Sequence, residues 1–171
     1  MRRDIANLKL AHDRARGHAQ WNGEINQREL SKLLDEMEIT NEVRFKLTAG
    51  VYKRGSHRWR KFYHYVTMSK YLTVLQARKT ICHELTHAVQ LESFFKSGCT
   101  QKDWDEAYGF YQRKVGYKNN PYELEARAAY RCFDHYMVID QDPYLHGWNP
   151  SELGSGDTLA NFRLLRDLTD E

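Results

Sequence analysis

Cysteine and proline are scarce in this chain, and long apolar runs are missing. The three cysteines, Cys82, Cys99 and Cys132, have no CxxC spacing, which argues against a disulfide framework and against a cysteine-based zinc knuckle. No segment approaches the roughly 18 consecutive apolar residues of a membrane span. The N-terminal residues MRRDIANLKLAHDR are charged throughout and lack the apolar stretch of a secretory signal. We therefore expect a cytoplasmic protein with reduced thiols and no membrane partner.

An excess of one charge is also missing. Lys and Arg number 26 against 23 Asp and Glu, and a net charge of +3 does not by itself indicate a nucleic-acid partner. Apolar residues make up 41% of the chain and charged residues 29%, as in a soluble globular protein. The length suits one domain. We place it at residues 1–145, with a core at about 25–140, and treat 146–171 as a tail that ends in a short helix, TLANFRLLRDL.

The periodicity of apolar residues predicts an α+β fold with a small antiparallel sheet. INQRELSKLLDEMEI has the apolar spacing of one helix face, with Asn26 as N-cap and Glu29 completing a capping box. VRFKL and FYHYVTMS read as strands, AGVYK as the beginning of a strand between them, and RGSHRWRK as a turn, and we expect an antiparallel meander with a basic tip. Three further helices are predicted at residues 71–95, in TQKDWDEAYGFYQRKVGY and in PYELEARAAYRCFDHYMVI.

The stretch ICHELTHAVQ carries the main chemical signal of the sequence. His83 and His87 stand four apart on a predicted helix, so their imidazoles point the same way and can share one metal ion. Zinc accepts neutral imidazole and keeps one position open to water in catalytic sites. Glu84 is rotated past His83 along the helix, from where its carboxylate can act on that water as a general acid/base. The pattern predicts one zinc ion per chain.

A third protein ligand has two candidates in NPYELEARAAY, Glu123 and Glu125. Both fall in the first turns of a predicted helix, and their side chains diverge by about 200°. The face of Glu123 also carries Arg127 and Tyr130, which suits an open cleft. The face of Glu125 carries Ala128, Ala129 and Cys132, which suits a packing surface. Periodicity favours Glu123 and leaves Glu125 open.

HELTH followed by a helix with ExEA resembles the gluzincin metallopeptidases. The order of a helix, a short meander, the strand HYVTMS and then the HExxH helix is similar to SprT-like proteins and minigluzincins. The resemblance implies a compact zincin domain that hydrolyses peptide bonds, with Glu123, the first glutamate of ExEA, as the third zinc ligand. It also implies a peptide or protein substrate. Small proteins of this type are often encoded by viruses or mobile elements, and a virus-encoded one would be in the host cytoplasm.

Two positions depart from that pattern. SprT-like proteins usually have a third histidine soon after HExxH, and AVQLESFFKSG has none. Many gluzincins have Asp or Asn four residues after the ligand glutamate, where it supports a ligand histidine, and here that residue is Arg127. The groups that orient the metal ligands are therefore unassigned.

Such enzymes usually supply a tyrosine or histidine as an extra donor to the oxyanion. The candidates lie downstream of the ligand helix start, and the sequence does not choose among them. They are Tyr130, His135, Tyr136 and His146. The strand KFYHYVTMS is expected to lie along the cleft and to pair with the substrate backbone. His64, on that strand, is then a cleft-wall or surface residue rather than a ligand.

The segment YKRGSHRWRKFYHY is a basic hairpin with aromatic residues. Positive charge attracts phosphates, and aromatic rings stack on bases. The residues that would bind DNA or another acidic partner are Lys53, Arg54, Arg58, Trp59, Arg60 and Lys61. Some SprT-like proteins cut proteins on DNA, so the resemblance also points to DNA. The alternative interpretation is a solubilised tip whose charges discourage edge aggregation.

The preferred hypothesis is a zinc metallopeptidase, and two rivals remain. One is a zinc-stabilised binding module without activity that uses the basic hairpin, against which the retained Glu84 argues. The other is a metal-dependent hydrolase of non-peptide amides.

Overall fold

The computed structural model describes residues 19–50 and 53–143 of the chain. Within them the fold is α+β, as predicted, with four α-helices and one sheet of three strands. The elements in chain order are α1 (Gln27–Glu36), β1 (Glu42–Thr48), β2 (Gly55–Trp59), β3 (Tyr63–Ser69), α2 (Val74–Lys96), α3 (Gln101–Val115), a 3₁₀ turn (Tyr117–Asn119) and α4 (Pro121–Phe133). The predicted tail helix TLANFRLLRDL lies outside the described residues.

The sheet has the order β1-β3-β2, so the predicted antiparallel meander is wrong. β1 pairs with β3 in parallel, with Val43 opposite His64, while β2 pairs with β3 antiparallel, with Trp59 opposite His64. The central place goes to the strand with the most buried side chains, since Val66 and Met68 of β3 are 0% and 1% exposed. β2 is left as an edge strand. It lies within RGSHRWRK, which was predicted as a turn, while the described residues of the predicted strand AGVYK are in no strand.

Side chains define where the helices begin. Asn26 accepts a hydrogen bond from the Glu29 amide and is the N-cap of α1, as predicted. The side chain of Glu29 pairs with Lys32, so the reciprocal half of the predicted capping box is not formed. Thr73 and Gln76 form a complete capping box that starts α2. Asn120 caps α4, and Pro121 occupies its first turn, where a missing N–H costs nothing.

α2 lies at the centre of the fold, between the sheet and α4. Its apolar side is fully buried, with Leu85 and Ala88 at 0% exposure, and Ala126 and Ala129 of α4 pack toward it. The small alanine side chains allow the two helices to approach closely. This packing brings the start of α4 to the middle of α2.

The three cysteines are free, as expected, but only Cys82 is buried. None of the helices within residues 19–50 and 53–143 has the length and apolar character needed to cross a membrane.

Candidate metal centre and cleft

Two histidines of α2 and one glutamate of α4 converge on a common point. The donor atoms of His83, His87 and Glu123 all lie within 4.8 Å of one another. His83 Nε2 is 2.9 Å from Glu123 Oε2, and His87 Nε2 is 3.2 Å from Glu123 Oε1. Of the two glutamates considered as third ligand, Glu123 is in this group. Glu125 instead accepts a hydrogen bond from Gln90 Nε2 at 3.1 Å.

The faces of α4 differ from those inferred from periodicity. The buried residues of α4 are Glu123, Ala126 and Ala129, so the side with Glu123 is the one that packs on α2. Ala128 and Cys132, expected on a packing surface with Glu125, are exposed. Glu123 is thus buried at the end of a helix interface, because α4 starts beside the two histidines.

Glu123 is ionised in this setting. Burial opposes its ionisation, but the hydrogen bonds with His83, His87 and Tyr108 hold the pKa of its carboxyl well below the usual range. The Tyr108 hydroxyl donates to Oε1 at 2.7 Å, and burial together with Glu123 raises the pKa of Tyr108. Tyr108 comes from α3, and no pattern in the sequence connects it with this site.

The group that orients His87 is Gln90, one turn further along α2. His87 Nδ1 is 2.9 Å from Gln90 Oε1, and Gln90 Nε2 donates to the Tyr122 carbonyl at 3.0 Å. Ligand histidines are commonly fixed through their second nitrogen in this way. Arg127, four residues after Glu123, does not support a histidine in this way, because it is exposed and donates to the Lys118 carbonyl. The signal for Gln90 was its three-residue spacing from His87 on the same helix.

Glu84 lies beside the ligand group without belonging to it. Its side chain is buried, and burial raises the pKa of its carboxyl although His87 and His83 act in the opposite sense. β2 comes very close to it. A Cβ at Gly55 would lie 2.7 Å from Thr80 Cγ2, 2.8 Å from the Thr67 carbonyl oxygen and 3.3 Å from Glu84 Cγ. Glycine at this position is what allows the edge strand to border the site.

The three candidate ligands face a cleft of about 320 Å³ between β2 and α3. β2 contributes Gly55, Ser56 and His57, and α3 contributes Trp104 and Tyr108. The strand along the cleft is therefore β2, and the prediction from the sequence that β3 lies there is wrong. β3 cannot have this place, because it is paired on both sides.

His64 is neither a cleft-wall nor a surface residue, since its side chain is 0% exposed. Its Nε2 lies 2.6 Å from Glu92 Oε2, and its Nδ1 lies 2.9 Å from His57 Nε2. His57 borders the cleft. The sequence reading did not consider His57 or Glu92 as site residues. Alternation along β3 does place His64 on the side of Val66 and Met68, which was the available signal for its burial.

A second, larger cavity of about 760 Å³ continues from the cleft between β2 and α4, and we call it the basic groove. It shares His83, Glu84 and Tyr117 with the cleft. Its cationic lining consists of Lys53, Arg54, Lys79, Arg127 and Arg131. Of the described residues that line it, Glu84 is the only carboxylate.

The four residues considered as oxyanion donors from the sequence differ in their position relative to the cleft. Tyr130 lines the basic groove, where Lys79 Nζ lies 5.8 Å from the centre of its ring. His135 is exposed beyond the end of α4, and Tyr136 packs against the hydrophobic core, and neither is among the residues that line the cleft or the groove. His146 lies outside the described residues.

The basic hairpin is only partly available for binding. Arg58, Arg60 and Lys61 are exposed at its tip. The Trp59 ring packs inward, with its centre 4.9 Å from that of His64 and 5.2 Å from that of Phe95. Trp59 is therefore engaged in the interior, and the exposed ring of the tip is Phe62, at 74% exposure.

No protein-family model matches this chain, and its comparisons with curated proteins and with solved structures also give no match.

Proposed function

We propose that this protein is a zinc-dependent metallopeptidase with a zincin-like domain. The observation that carries the proposal is the convergence of His83, His87 and Glu123 on one point of an open cleft, with the buried carboxylate of Glu84 beside them. Two imidazoles and a carboxylate are a donor set that catalytic zinc sites use, and they leave a position for water.

The donor set fits zinc in its charge as well as its geometry. Glu123 is ionised, and Gln90 engages the far nitrogen of His87, which leaves Nε2 to face the common point. An all-oxygen set would favour calcium or magnesium, and thiolates would favour a closed structural site. When bound, zinc lowers the pKa of water and polarises the peptide carbonyl.

Glu84 is the general acid/base in this proposal. Its carboxylate takes the proton that the attacking water loses as the new C–O bond forms. It then returns that proton to the nitrogen as the C–N bond breaks, so that no proton is gained or lost overall. Burial raises the pKa of Glu84, which makes its carboxyl a better base at neutral pH. Of the donors considered for the oxyanion, Tyr130 is the nearest to this chemistry, because it lines the adjoining groove.

The edge strand supports a peptide substrate over a small amide. β2 pairs only with β3 among the described strands, and its residues 55–57 line the cleft. A peptide in extended conformation can add to such an edge through main-chain hydrogen bonds. Acidic peptides are favoured further, since five cationic side chains line the groove that continues from the cleft.

Comparing Glu84→Gln with the wild type tests the enzyme proposal directly. The matched control is Glu106→Gln, an exposed glutamate of α3. Each full-length protein is loaded with zinc and incubated with a mixed peptide library, and cleavage is followed by mass spectrometry. Wild type and Glu106→Gln should cut, while Glu84→Gln should keep its zinc and lose about 10²- to 10⁴-fold in rate.

One rival remains testable in the same preparation. Exposed Arg58, Arg60, Lys61 and Phe62 favour a zinc-stabilised module that binds nucleic acid. A wild-type protein that holds zinc, cuts no peptide and binds single-stranded DNA with strong salt dependence would establish that function instead.

A further inference from the structure

A line of three hydrogen-bonded side chains runs from the interior to the wall of the cleft. It begins at Glu92 of α2, which is 2% exposed, passes through the fully buried His64 of β3 and ends at His57 of β2. The two hydrogen bonds measure 2.6 Å and 2.9 Å between heavy atoms. None of the three residues belongs to the metal-ligand group. A buried carboxylate and imidazole are costly unless their hydrogen bonds are satisfied, so their presence calls for a physical explanation.

The protons along this line are assigned from its inner end. Glu92 Oε1 accepts hydrogen bonds from the Thr40 amide at 2.8 Å and from the Thr40 hydroxyl at 2.7 Å. Burial opposes the ionisation of Glu92, but these donors and His64 lower the pKa of its carboxyl. An ionised carboxylate only accepts, so His64 must donate to it from Nε2. Burial also lowers the pKa of His64, which is therefore neutral with an unprotonated Nδ1.

The tautomer of His57 follows from that of His64. Because His64 Nδ1 can only accept, the hydrogen of this bond comes from His57 Nε2. Burial, followed by the neighbouring His64 and His87, lowers the pKa of His57 to about 3, so its ring is neutral as well. Its second nitrogen, Nδ1, then carries a lone pair. Among the described residues, Nδ1 of His57 has no hydrogen-bond partner, and the ring borders the cleft.

We propose that Glu92, acting through His64, fixes the tautomer of His57 so that an unprotonated Nδ1 accepts a hydrogen bond from an N–H of the bound peptide. The peptide's part in this inference rests on the function proposed above. His57 is then a substrate-binding residue of the cleft, and His64 and Glu92 are positioning residues behind it. Glu92 determines which ring nitrogen of His64 carries the hydrogen, and His64 does the same for His57.

The location of His57 suits this task. It lies on the edge strand beside Ser56 and Gly55, where a peptide in extended conformation would present its N–H groups. Without Glu92 and His64 behind it, neutral His57 could take either tautomer. In one of them, an Nδ1–H would face the N–H of the peptide. Two donors that face each other leave both unsatisfied in a desolvated cleft. Fixing the tautomer removes that outcome before the substrate arrives.

Glu92→Gln provides a sharp test, because it should exchange donor and acceptor in both hydrogen bonds. The amide oxygen of the new side chain stays on the two Thr40 donors, so its NH₂ group faces His64 Nε2. His64 must then accept at Nε2 and donate from Nδ1, and His57 must accept at Nε2 and carry its hydrogen on Nδ1. The change substitutes no metal ligand and no residue that lines the cleft, yet it moves the hydrogen of His57 onto Nδ1 and so converts that acceptor into a donor.

The tautomers are read by ¹⁵N NMR of the histidine rings in the zinc-loaded full-length protein, since the chemical shift separates protonated from unprotonated nitrogens. Wild type and the control Glu106→Gln should show hydrogen on Nε2 of both His57 and His64. Glu92→Gln should show it on Nδ1 of both. A wild-type His57 protonated on Nδ1, or a Glu92→Gln protein with unchanged tautomers, would overturn the proposal.

The substrate's part is tested by kinetics on a cleaved peptide whose N–H groups are methylated one at a time. One methylation should lower kcat/KM of the wild type about tenfold, the magnitude of one hydrogen bond, and should have no further effect in His57→Phe. His57→Asn, whose Oδ1 stands near the place of Nδ1, should recover part of the loss caused by His57→Phe. Glu92→Gln should lose about ten- to a hundredfold in kcat/KM at unchanged zinc content.

These outcomes separate the inference from the function on which it rests. If every methylation has the same effect in wild type and His57→Phe, the acceptor role is wrong while the peptidase stands. If the wild type cuts no peptide, the peptidase proposal fails and the peptide's part in this inference fails with it. The NMR result then still decides whether Glu92 sets the tautomer of His57.

Discussion

His64 and Glu92 form a hydrogen bond of 2.6 Å in which neither side chain is more than 3% exposed. The pKa of His64 is lowered by burial despite the carboxylate beside it, so the contact joins a neutral imidazole to an anion and is not an ion pair. It ties β3 to α2, while Thr40 adds two further donors from the chain that precedes β1. This makes Glu92 a point at which three segments of the fold are held together.

Glu92→Ala should therefore destabilise the protein strongly. The substitution leaves the Thr40 and His64 donors buried without an acceptor, at a cost of about 3 kcal/mol in the free energy of unfolding. The matched control is Glu29→Ala, which removes a surface pair with Lys32 at 3.0 Å and should cost much less, because solvent screens such a pair. Urea denaturation of both variants measures the difference. Equal losses would contradict a structural role of the buried acceptor.

The contribution of His57 and His64 to stability should fall as the pH is lowered. The pKa of His57 is about 3 in the folded protein against 6.5 in the unfolded chain, and that of His64 is also lowered. The unfolded chain thus binds more protons than the folded protein below pH 6.5. The contribution of these two histidines to the free energy of unfolding is therefore fully present above that pH and decreases toward pH 3. Each proton contributes up to about 1.4 kcal/mol per pH unit.

His57→Phe keeps an aromatic ring and removes one of the two histidines that take up a proton on unfolding. The free energy of unfolding of this variant should depend less steeply on pH between 6.5 and 3 than that of the wild type. Protonation of Glu92, whose pKa is also lowered, adds a loss only in the more acidic part of this range, below its usual 4.5. An identical pH slope in the two proteins would show that His57 is not neutral in the fold.

Zinc content should distinguish the two glutamates of α4. Glu123→Ala removes the carboxylate that lies 2.9 Å from His83 Nε2 and should lower zinc affinity by several orders of magnitude. Glu125→Ala removes only a hydrogen bond from Gln90 and should leave about one zinc per chain. Metal analysis after dialysis against a weak chelator measures both. Loss of zinc in Glu125→Ala alone would require a different ligand set.

A side chain at Gly55 should block the approach of β2 to α2. Gly55→Val places carbon within 2.8 Å of the Thr67 carbonyl oxygen and near Thr80, which should cost about 1–3 kcal/mol and distort the cleft. Gly50→Ala is the matched control, because its nearest contact would be an ordinary 3.7 Å. Thermal unfolding compares the two. A Gly55→Val protein of normal stability would show that the edge strand does not pack this closely.

The basic groove should favour acidic peptides. Changing Lys79, Arg127 and Arg131 together to alanine should lower kcat/KM for a peptide with several Asp and Glu residues by about tenfold or more. For a neutral peptide with the same cleavage site, kcat/KM should change little, and the preference should fade with added salt. Lys102→Ala, an exposed lysine of α3, is the control. Equal kcat/KM for both peptides in the wild type would remove the electrostatic argument.

Local sequence patterns determined the elements that depend on neighbouring residues. The four-residue spacing of His83 and His87 places both imidazoles on one face of α2 wherever that helix packs. Asn26 and Pro121 mark helix starts because an N-cap or a first-turn proline acts within one turn. β1 and β3 were also found from composition and alternation, which are properties of each strand alone, whereas β2 (Gly55–Trp59) lies in the segment RGSHRWRK, which the Gly and Ser had marked as a turn.

Tertiary packing decided what no local pattern contains. The sheet order placed β2 and not β3 along the cleft, because the strand with the most buried side chains took the centre. Glu123 joins His83 and His87 because its side of α4 packs on α2. The periodicity argument had instead placed Glu123 on the open side and Glu125 on the packing side. Tyr108 and Glu92 reach their partners over long stretches of chain, and such contacts depend on how helices and sheet pack, which the periodicity of a single element does not specify.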